Sequence, residues 1–153
     1  SRMTVIGKHI TADMYGCKFE LLDDRDYIKQ AVLAAIAEGQ LTLLQYTDHP
    51  LTPQGVAAIA LLTESHISVH TYPHLGYAAV DIFTFSEAAL PTKALQTLRR
   101  QFKPTKLKTT NIRRGDFGSI SDMKPKTRTL GNPLRRVKDT STKFIKFLSR
   151  SRK

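Results

Sequence analysis

A serine between an acid and a histidine stands in the middle of the chain, within the stretch LLTESHISVHTYPHLGYAAVDIFTF at residues 61–85. Ser65 follows Glu64 directly, His66 comes next, and His70 lies five residues after the serine. A hydroxyl with a histidine nearby is the pairing that activates a nucleophile. The stretch lacks the Gly-x-Ser-x-Gly turn of serine hydrolases, which argues against a hydrolase of that kind.

The same histidines have two other interpretations, as metal ligands or as ordinary strand residues. In a strand, His66 and His70 share a face, but their Cα atoms would lie about 13 Å apart, too far to share an ion without a bend. Cys17 is the single cysteine, so an internal disulfide and a thiolate zinc cluster are both excluded. We therefore predict no metal site, and polar side chains that only line a strand edge remain the alternative to a catalytic cluster.

The elements that would position these residues follow from the apolar spacing. Residues 24–38 carry apolar side chains at helical spacing and end before Gly39, and a second helix is expected from a Ser86 cap to about Phe102. Strands are expected at residues 4–16, 41–46, 55–63, 67–71, 77–85 and 106–112, with a loop over Asp48–Pro53. The predicted fold class is α+β, a two-layer α/β sandwich with an antiparallel sheet, helices on one face and the order βαβββαβ.

The charge of the chain is unevenly distributed. The net charge is +11, and residues 124–153 hold 11 of the 24 Lys and Arg but only one of the 13 acidic residues. We therefore predict one folded domain over residues 1–122 and a basic extension over residues 123–153, which could touch a membrane surface or nucleic acid. Because the sequence shows neither a run of about 20 apolar residues nor a signal-peptide pattern, we expect a cytoplasmic protein.

The full string around Ser65 resembles the prokaryotic S-adenosylmethionine decarboxylase family. The resemblance is carried by Glu-Ser-His at residues 64–66, Val-His-Thr-Tyr-Pro at 69–73 and Gly-Tyr-Ala-Ala-Val-Asp-Ile-Phe-Thr at 76–84, with shorter likenesses at 7–9, 14–17 and 53–56. It covers about residues 5–116. It implies a proenzyme that cuts itself between Glu64 and Ser65, so that Ser65 becomes a pyruvoyl cofactor, which binds the substrate amine as a Schiff base and accepts electrons as CO₂ leaves.

The resemblance also implies roles for other residues. His70 matches the base of the self-cleavage. Asp48 and Leu51 match loop positions that hold the adenine of the substrate, and His74 stands at a family glutamate. The sequence leaves open whether Tyr72, His74 or a water delivers the proton of the reaction. The family further implies a homodimer whose active sites lie at the subunit interface.

The chain departs from the family pattern at three kinds of position. Phe85 replaces a cysteine that donates a proton, Ala57 replaces a serine that assists cleavage, and Asp48 and Leu51 replace aromatic residues. Because a carboxylate at position 48 could pair with the distal cation of an amino acid, the expected substrate is L-ornithine or L-arginine, decarboxylated for polyamine biosynthesis. Two alternatives stay open: an S-adenosylmethionine decarboxylase proper, which supplies spermidine synthesis, and an unprocessed homologue without catalysis.

Overall fold

The computed structural model describes residues 7–115, which form one antiparallel sheet with helices packed against it. In chain order the elements are β1 (Gly7–Tyr15), α1 (Phe19–Leu22), α2 (Arg25–Glu38), β2 (Leu43–Pro50), β3 (Val56–Leu62), β4 (Ser65–Tyr72), a 3₁₀ turn (Pro73–Leu75), β5 (Tyr77–Thr84), α3 (Pro91–Phe102) and β6 (Lys106–Arg114). The strands lie side by side in the order β2-β3-β4-β5-β1-β6. The α+β fold class is confirmed. The predicted order βαβββαβ has three strands between the two helices, whereas the structure has four, β2 to β5. The six strand segments predicted one by one do account for all six strands.

The two faces of the sheet differ in what covers them. On one face, alternate side chains of the strands are buried together with apolar residues of the helices, and the largest of these are Met14, Leu22, Ile28, Ile67, Ile82, Leu98 and Phe102. We call the other side of the sheet the open face. It exposes the apolar side chains of Ile59, Leu61 and Ile112. The helices thus cover one face only, as the sequence predicted.

Helix α2 begins where the sequence predicts. The Asp24 side chain accepts a hydrogen bond from the backbone N–H of Tyr27 at 3.0 Å, which satisfies one of the unpaired donors of the first turn. The Tyr27 hydroxyl then donates to the carbonyl oxygen of Gln101 at 2.7 Å and joins α2 to α3. Helix α3, in contrast, begins at Pro91 and not after Ser86. Proline disfavours helical geometry in the residue before it but is well suited to the first helical position, so the helix starts there.

Strand β2 is longer than predicted. It continues through Asp48 and His49 to Pro50, which were expected in a loop. Since β2 is an edge strand paired only with β3, the donor that proline lacks is not needed by a second neighbour. Asp48 therefore lies in the sheet opposite Ala58, and only residues 51–55 connect β2 to β3.

The predicted basic extension at residues 123–153 and its boundary at residue 122 lie outside the described residues. Within residues 7–115, no helix is long and apolar enough to cross a membrane.

Candidate active site

The bond between Glu64 and Ser65 lies in the tight turn that joins β3 to β4. Leu62 pairs with Ser65 across the turn, so only Thr63 and Glu64 connect the two strands. The turn places Glu64 at a φ of 56°, in the left-handed region that side-chain-bearing residues rarely adopt. A residue held in that region costs about 1 to 3 kcal/mol. The predicted cleavage site therefore begins from a strained backbone.

The carbonyl group of Glu64 is hydrogen-bonded, whereas the hydroxyl of Ser65 is not. The Glu64 carbonyl oxygen accepts a hydrogen bond from the backbone N–H of Phe85 at 2.9 Å. The Ser65 Oγ atom is buried and has no hydrogen-bond partner among residues 7–115. A buried hydroxyl left unpaired costs about 1 to 3 kcal/mol. The carbonyl is thus polarised by a fixed donor, while the adjacent hydroxyl is free to attack it.

His70 does not come close to Ser65 within one chain. The two residues stand five positions apart on β4, which corresponds to about 16 Å between their Cα atoms. They also differ in face, because alternation groups Ser65 with the buried Ile67 and Val69 and places His70 on the open face. The structure therefore separates the predicted base from the predicted nucleophile of the same chain.

A shallow cavity of about 330 Å³ surrounds His70 on the open face. Its lining includes Thr47, Ala57, Ile59 and Ser68. Ala57 pairs directly with His70 across β3 and β4. A serine at position 57, which the resemblance implies for the family, would therefore stand next to the imidazole of His70, which makes no hydrogen bond within residues 7–115.

The carboxylate of Asp48 is already paired inside the chain. The Arg25 Nε atom donates to Asp48 Oδ1 at 2.6 Å, and the Asp48 side chain is only 10% exposed. Asp48 also borders the cavity around His70. Its carboxylate is held by Arg25, the first residue of helix α2, and its strand partner Ala58 is buried under the helices. The negative charge of Asp48, from which we expected ornithine or arginine as the substrate, is thus neutralised by Arg25 of the same chain.

Three tyrosines form a stacked row on the open face, at the end of β4 remote from Ser65. The Tyr72 ring stacks on Tyr77 at 5.7 Å, and Tyr77 stacks on Tyr15 at 5.4 Å between centroids. The Tyr77 hydroxyl donates to Asp13 at 2.5 Å, and this carboxylate raises the pKa of Tyr77 to about 12. Sequence reasoning singled out Tyr72 alone, because Tyr15 and Tyr77 become its neighbours only through strand register. Of the other predicted substrate residues, His74 is exposed in the 3₁₀ turn, and Leu51 follows β2 with its N–H bonded to the carbonyl of Gly55.

A polar cluster occupies the other half of the open face, and sequence reasoning missed it. His9 Nε2 lies 3.5 Å from Asp81 Oδ1, and Ser68 Oγ lies 3.5 Å from the second oxygen of the same carboxylate. His66 stands nearby against the Phe83 ring, at 5.5 Å between centroids. Burial, and then the charge of His9, lower the pKa of His66. The likeness at residues 7–9 was the one sequence signal that pointed to His9.

Phe85 fills a narrow space that two glycines leave open. A Cβ atom on Gly7 would lie 2.9 Å from the Phe85 ring, and one on Gly115 would lie 3.0 Å from it. A phenyl group offers no proton to a reaction. Cys17 does not replace the missing thiol, because its N–H bonds to Gly76 beyond the far end of β4, and burial raises its pKa to about 11.

Comparison with known proteins places this arrangement among related chains. A family model described as S-adenosylmethionine decarboxylase matches residues 8–115. The S-adenosylmethionine decarboxylase proenzyme of Methanococcus vannielii is 40% identical over 113 residues, which are 74% of this chain and 93% of the relative. That of Moorella thermoacetica is 38% identical over 113 residues, 74% of this chain and 90% of the relative. The crystal structure of the adenosylmethionine decarboxylase from Aquifex aeolicus VF5 aligns with a TM-score of 0.70 at 25% identity, covering 83% of this chain and 100% of that one.

Proposed function

Because the chain belongs to the S-adenosylmethionine decarboxylase family, whose members are pyruvoyl-dependent decarboxylases, we propose that it cuts itself between Glu64 and Ser65 and decarboxylates S-adenosylmethionine. The observation that carries the proposal is the turn before β4. There a left-handed Glu64 presents a carbonyl held by the Phe85 N–H to a buried hydroxyl without a partner.

The cleavage proceeds from atoms that are already adjacent. Ser65 Oγ attacks the Glu64 carbonyl carbon, the carbon–nitrogen bond breaks, and the amide nitrogen takes the proton that the hydroxyl loses, which leaves an ester. The Phe85 N–H stabilises the oxyanion that forms meanwhile. Loss of the Ser65 α-proton then breaks the bond between Ser65 Cβ and Oγ. This expels the main-chain carboxylate of Glu64 and leaves dehydroalanine at position 65. Addition of water and loss of ammonia give the pyruvoyl group, at the head of the fragment that begins at residue 65.

The residues around Ser65 suit that group. The pyruvoyl group would form from Ser65 itself. Its Oγ atom is buried without a hydrogen-bond partner, and the preceding residue, Glu64, has a strained backbone. The pyruvoyl group would supply an electron sink for the carbanion left by CO₂.

A second subunit is needed to complete the site. His70 lies about 16 Å from Ser65 of its own chain, so it cannot remove the α-proton there. The open face bears His70 together with the exposed Ile59, Leu61 and Ile112, which a second copy would cover. We therefore infer a homodimer that joins open face to open face around a two-fold axis. In it each His70 reaches the β3–β4 turn of the other chain, where the backbone α-proton of Ser65 lies at the end of the sheet.

S-Adenosylmethionine is preferred over a basic amino acid as the substrate. The Asp48 carboxylate is bound to Arg25, so it offers little attraction to the distal cation of ornithine or arginine. The adenine ring needs flat partners, and the row of Tyr72, Tyr77 and Tyr15 provides aromatic surface on the open face. Stacking of a base on an aromatic side chain contributes about 1 to 3 kcal/mol. Roles for Leu51 and His74 in binding, and the cytoplasmic location, stay predictions from the sequence.

The test is the intact mass of the purified protein, followed by release of CO₂ from carboxyl-labelled substrates. We expect fragments of residues 1–64 and 65–153, the second blocked at its N-terminus, and faster release from S-adenosylmethionine than from ornithine or arginine. The Ser65→Ala variant is the control and should stay full length. An uncut wild-type chain would support the non-catalytic homologue, and faster turnover of ornithine or arginine would refute the substrate assignment.

A further inference from the structure

Two buried hydroxyls face each other at the proposed cleavage site. Thr84, the last residue of β5, is 1% exposed and pairs directly with Ser65. Neither Thr84 Oγ1 nor Ser65 Oγ has a hydrogen-bond partner within residues 7–115. Buried hydroxyls in proteins are normally bonded, so two unpaired ones at neighbouring positions call for an explanation.

The strand register brings these two side chains within reach of each other. The Phe85 N–H bonds to the Glu64 carbonyl, which makes Glu64 and Phe85 a hydrogen-bonded pair of the antiparallel ladder. The next pair along, Ser65 with Thr84, is therefore a non-hydrogen-bonded pair, in which side chains approach most closely. Their Cβ atoms are expected about 4.5 to 5.5 Å apart, and rotation about χ1 then brings the two oxygens to hydrogen-bond distance.

The other neighbour of Ser65 offers no such partner. On β3 the residue opposite Ser65 is Leu62, which is buried and has no polar side-chain atom. The adjacent residues on the same face, Ile67 and Ile82, are also buried and apolar. Between the two residues that pair with Ser65, Thr84 alone can bond its hydroxyl.

We propose that Thr84 is a positioning residue for the self-cleavage, an inference that rests on the function proposed above. Thr84 Oγ1 accepts the hydrogen bond of the Ser65 hydroxyl and turns an Oγ lone pair toward the Glu64 carbonyl carbon. The next residue, Phe85, holds the carbonyl oxygen of Glu64 through its N–H. Thr84 forms no covalent bond, and the Ser65 proton passes to the departing amide nitrogen. The last residue of β5 and the residue that follows it thus align both partners of the attack.

The experiment compares two substitutions of Thr84 in the full chain. Thr84→Val keeps the shape but removes the hydroxyl, and Thr84→Ser keeps the hydroxyl. Loss of the full-length chain is followed with time by denaturing gel and intact mass. We expect the Val variant to cleave at least tenfold more slowly than wild type, and the Ser variant to stay within about threefold of wild type, at unchanged melting temperatures. Thr97→Val is the matched control, because Thr97 is a buried threonine of α3 away from the site, and it should cleave like wild type.

Hydroxylamine at neutral pH identifies the step that Thr84 affects, because it cuts esters but not peptide bonds. If Thr84 positions the attack, the Val variant forms little ester, and hydroxylamine releases no fragment faster than buffer does. Release of the fragment at residue 64 would show that the attack proceeds without Thr84 and would overturn the proposal. Wild-type cleavage rates in Thr84→Val, or equal slowing in Thr84→Ser, would overturn it as well while leaving the self-cleavage intact. An uncut wild-type chain would overturn both.

Discussion

Ala57 and His70 lie directly opposite each other on β3 and β4. A serine at position 57, as the resemblance implies for the family, would place a hydroxyl beside the imidazole, and the alanine offers none. Since the proposed dimer uses His70 as the base for the partner's Ser65, its orientation bears on the rate of cleavage. The structure thus connects a departure in the sequence to one side chain of the proposed machinery.

We expect Ala57→Ser to accelerate self-cleavage. A hydrogen bond that orients His70 is worth about 0.5 to 1.5 kcal/mol, or roughly a two- to tenfold change in rate. The half-time for loss of the full-length chain measures it. Ala79→Ser is the matched control, because Ala79 flanks His70 from β5. Equal acceleration by both variants would argue against a specific role of position 57.

Restoring a thiol at position 85 should increase turnover. Phe85→Cys places a proton donor where the resemblance implies that the family has one. We expect CO₂ release per processed chain to rise about ten- to hundredfold. A well-positioned general acid contributes about a hundredfold or more, so this expectation lies at or below the low end of that range. Phe85→Ala is the control, since it opens similar space between Gly7 and Gly115 without a thiol. Both variants should lose some stability from the vacated space, but less than the roughly 3 to 5 kcal/mol of a fully buried phenylalanine, because Phe85 is only half-buried. If Phe85→Ala gained as much activity, the effect would come from space and not from the proton.

The Arg25–Asp48 pair should act on stability and not on substrate choice. Arg25→Met leaves the nearly buried Asp48 carboxylate without its donor, which should lower the free energy of unfolding by about 1 to 3 kcal/mol in urea titrations. Adding Asp48→Asn to that variant removes the unpaired charge and should recover part of the loss. Neither change is expected to alter the ratio of turnover on S-adenosylmethionine and ornithine. A shift of that ratio toward S-adenosylmethionine in Asp48→Asn would return Asp48 to the substrate pocket.

His66 should make the fold less stable in mild acid. Burial and the charge of His9 lower its pKa in the folded chain, whereas the unfolded chain has the ordinary value of about 6.5. Between those two values the unfolded state binds more protons, so the contribution of His66 is present above about pH 6.5 and is lost as the pH falls toward the folded pKa. Unfolding free energies at pH 7.5 and 5.5 should differ less in His66→Asn than in wild type. An equal difference in both proteins would assign the pH dependence to other groups.

Much of the fold was predictable because its signals are local. The apolar spacing of α2 and its Asp24 cap lie within one stretch of sequence, and the structure has them as expected. The predicted start of α3 after Ser86 was wrong, because the effect of Pro91 on the preceding residue outweighed the Ser86 cap. The predicted end of β2 was also wrong. The strand tolerates Pro50 because it lies at the edge of the sheet, and that position depends on the order of strands in the whole sheet.

The candidate site divides in the same way. The sequence by itself was enough to predict the proposed chemistry of residues 64 and 65, because a hydroxyl attacking the preceding carbonyl involves only neighbours along the chain. It also held a signal that His70 lies on the other face, since an odd separation in a strand reverses the side. Only the tertiary structure decided that Asp48 is bound by Arg25 and that Thr84 stands opposite Ser65. Those contacts join residues about 20 positions apart, and their register is set by packing of the whole sheet against the helices.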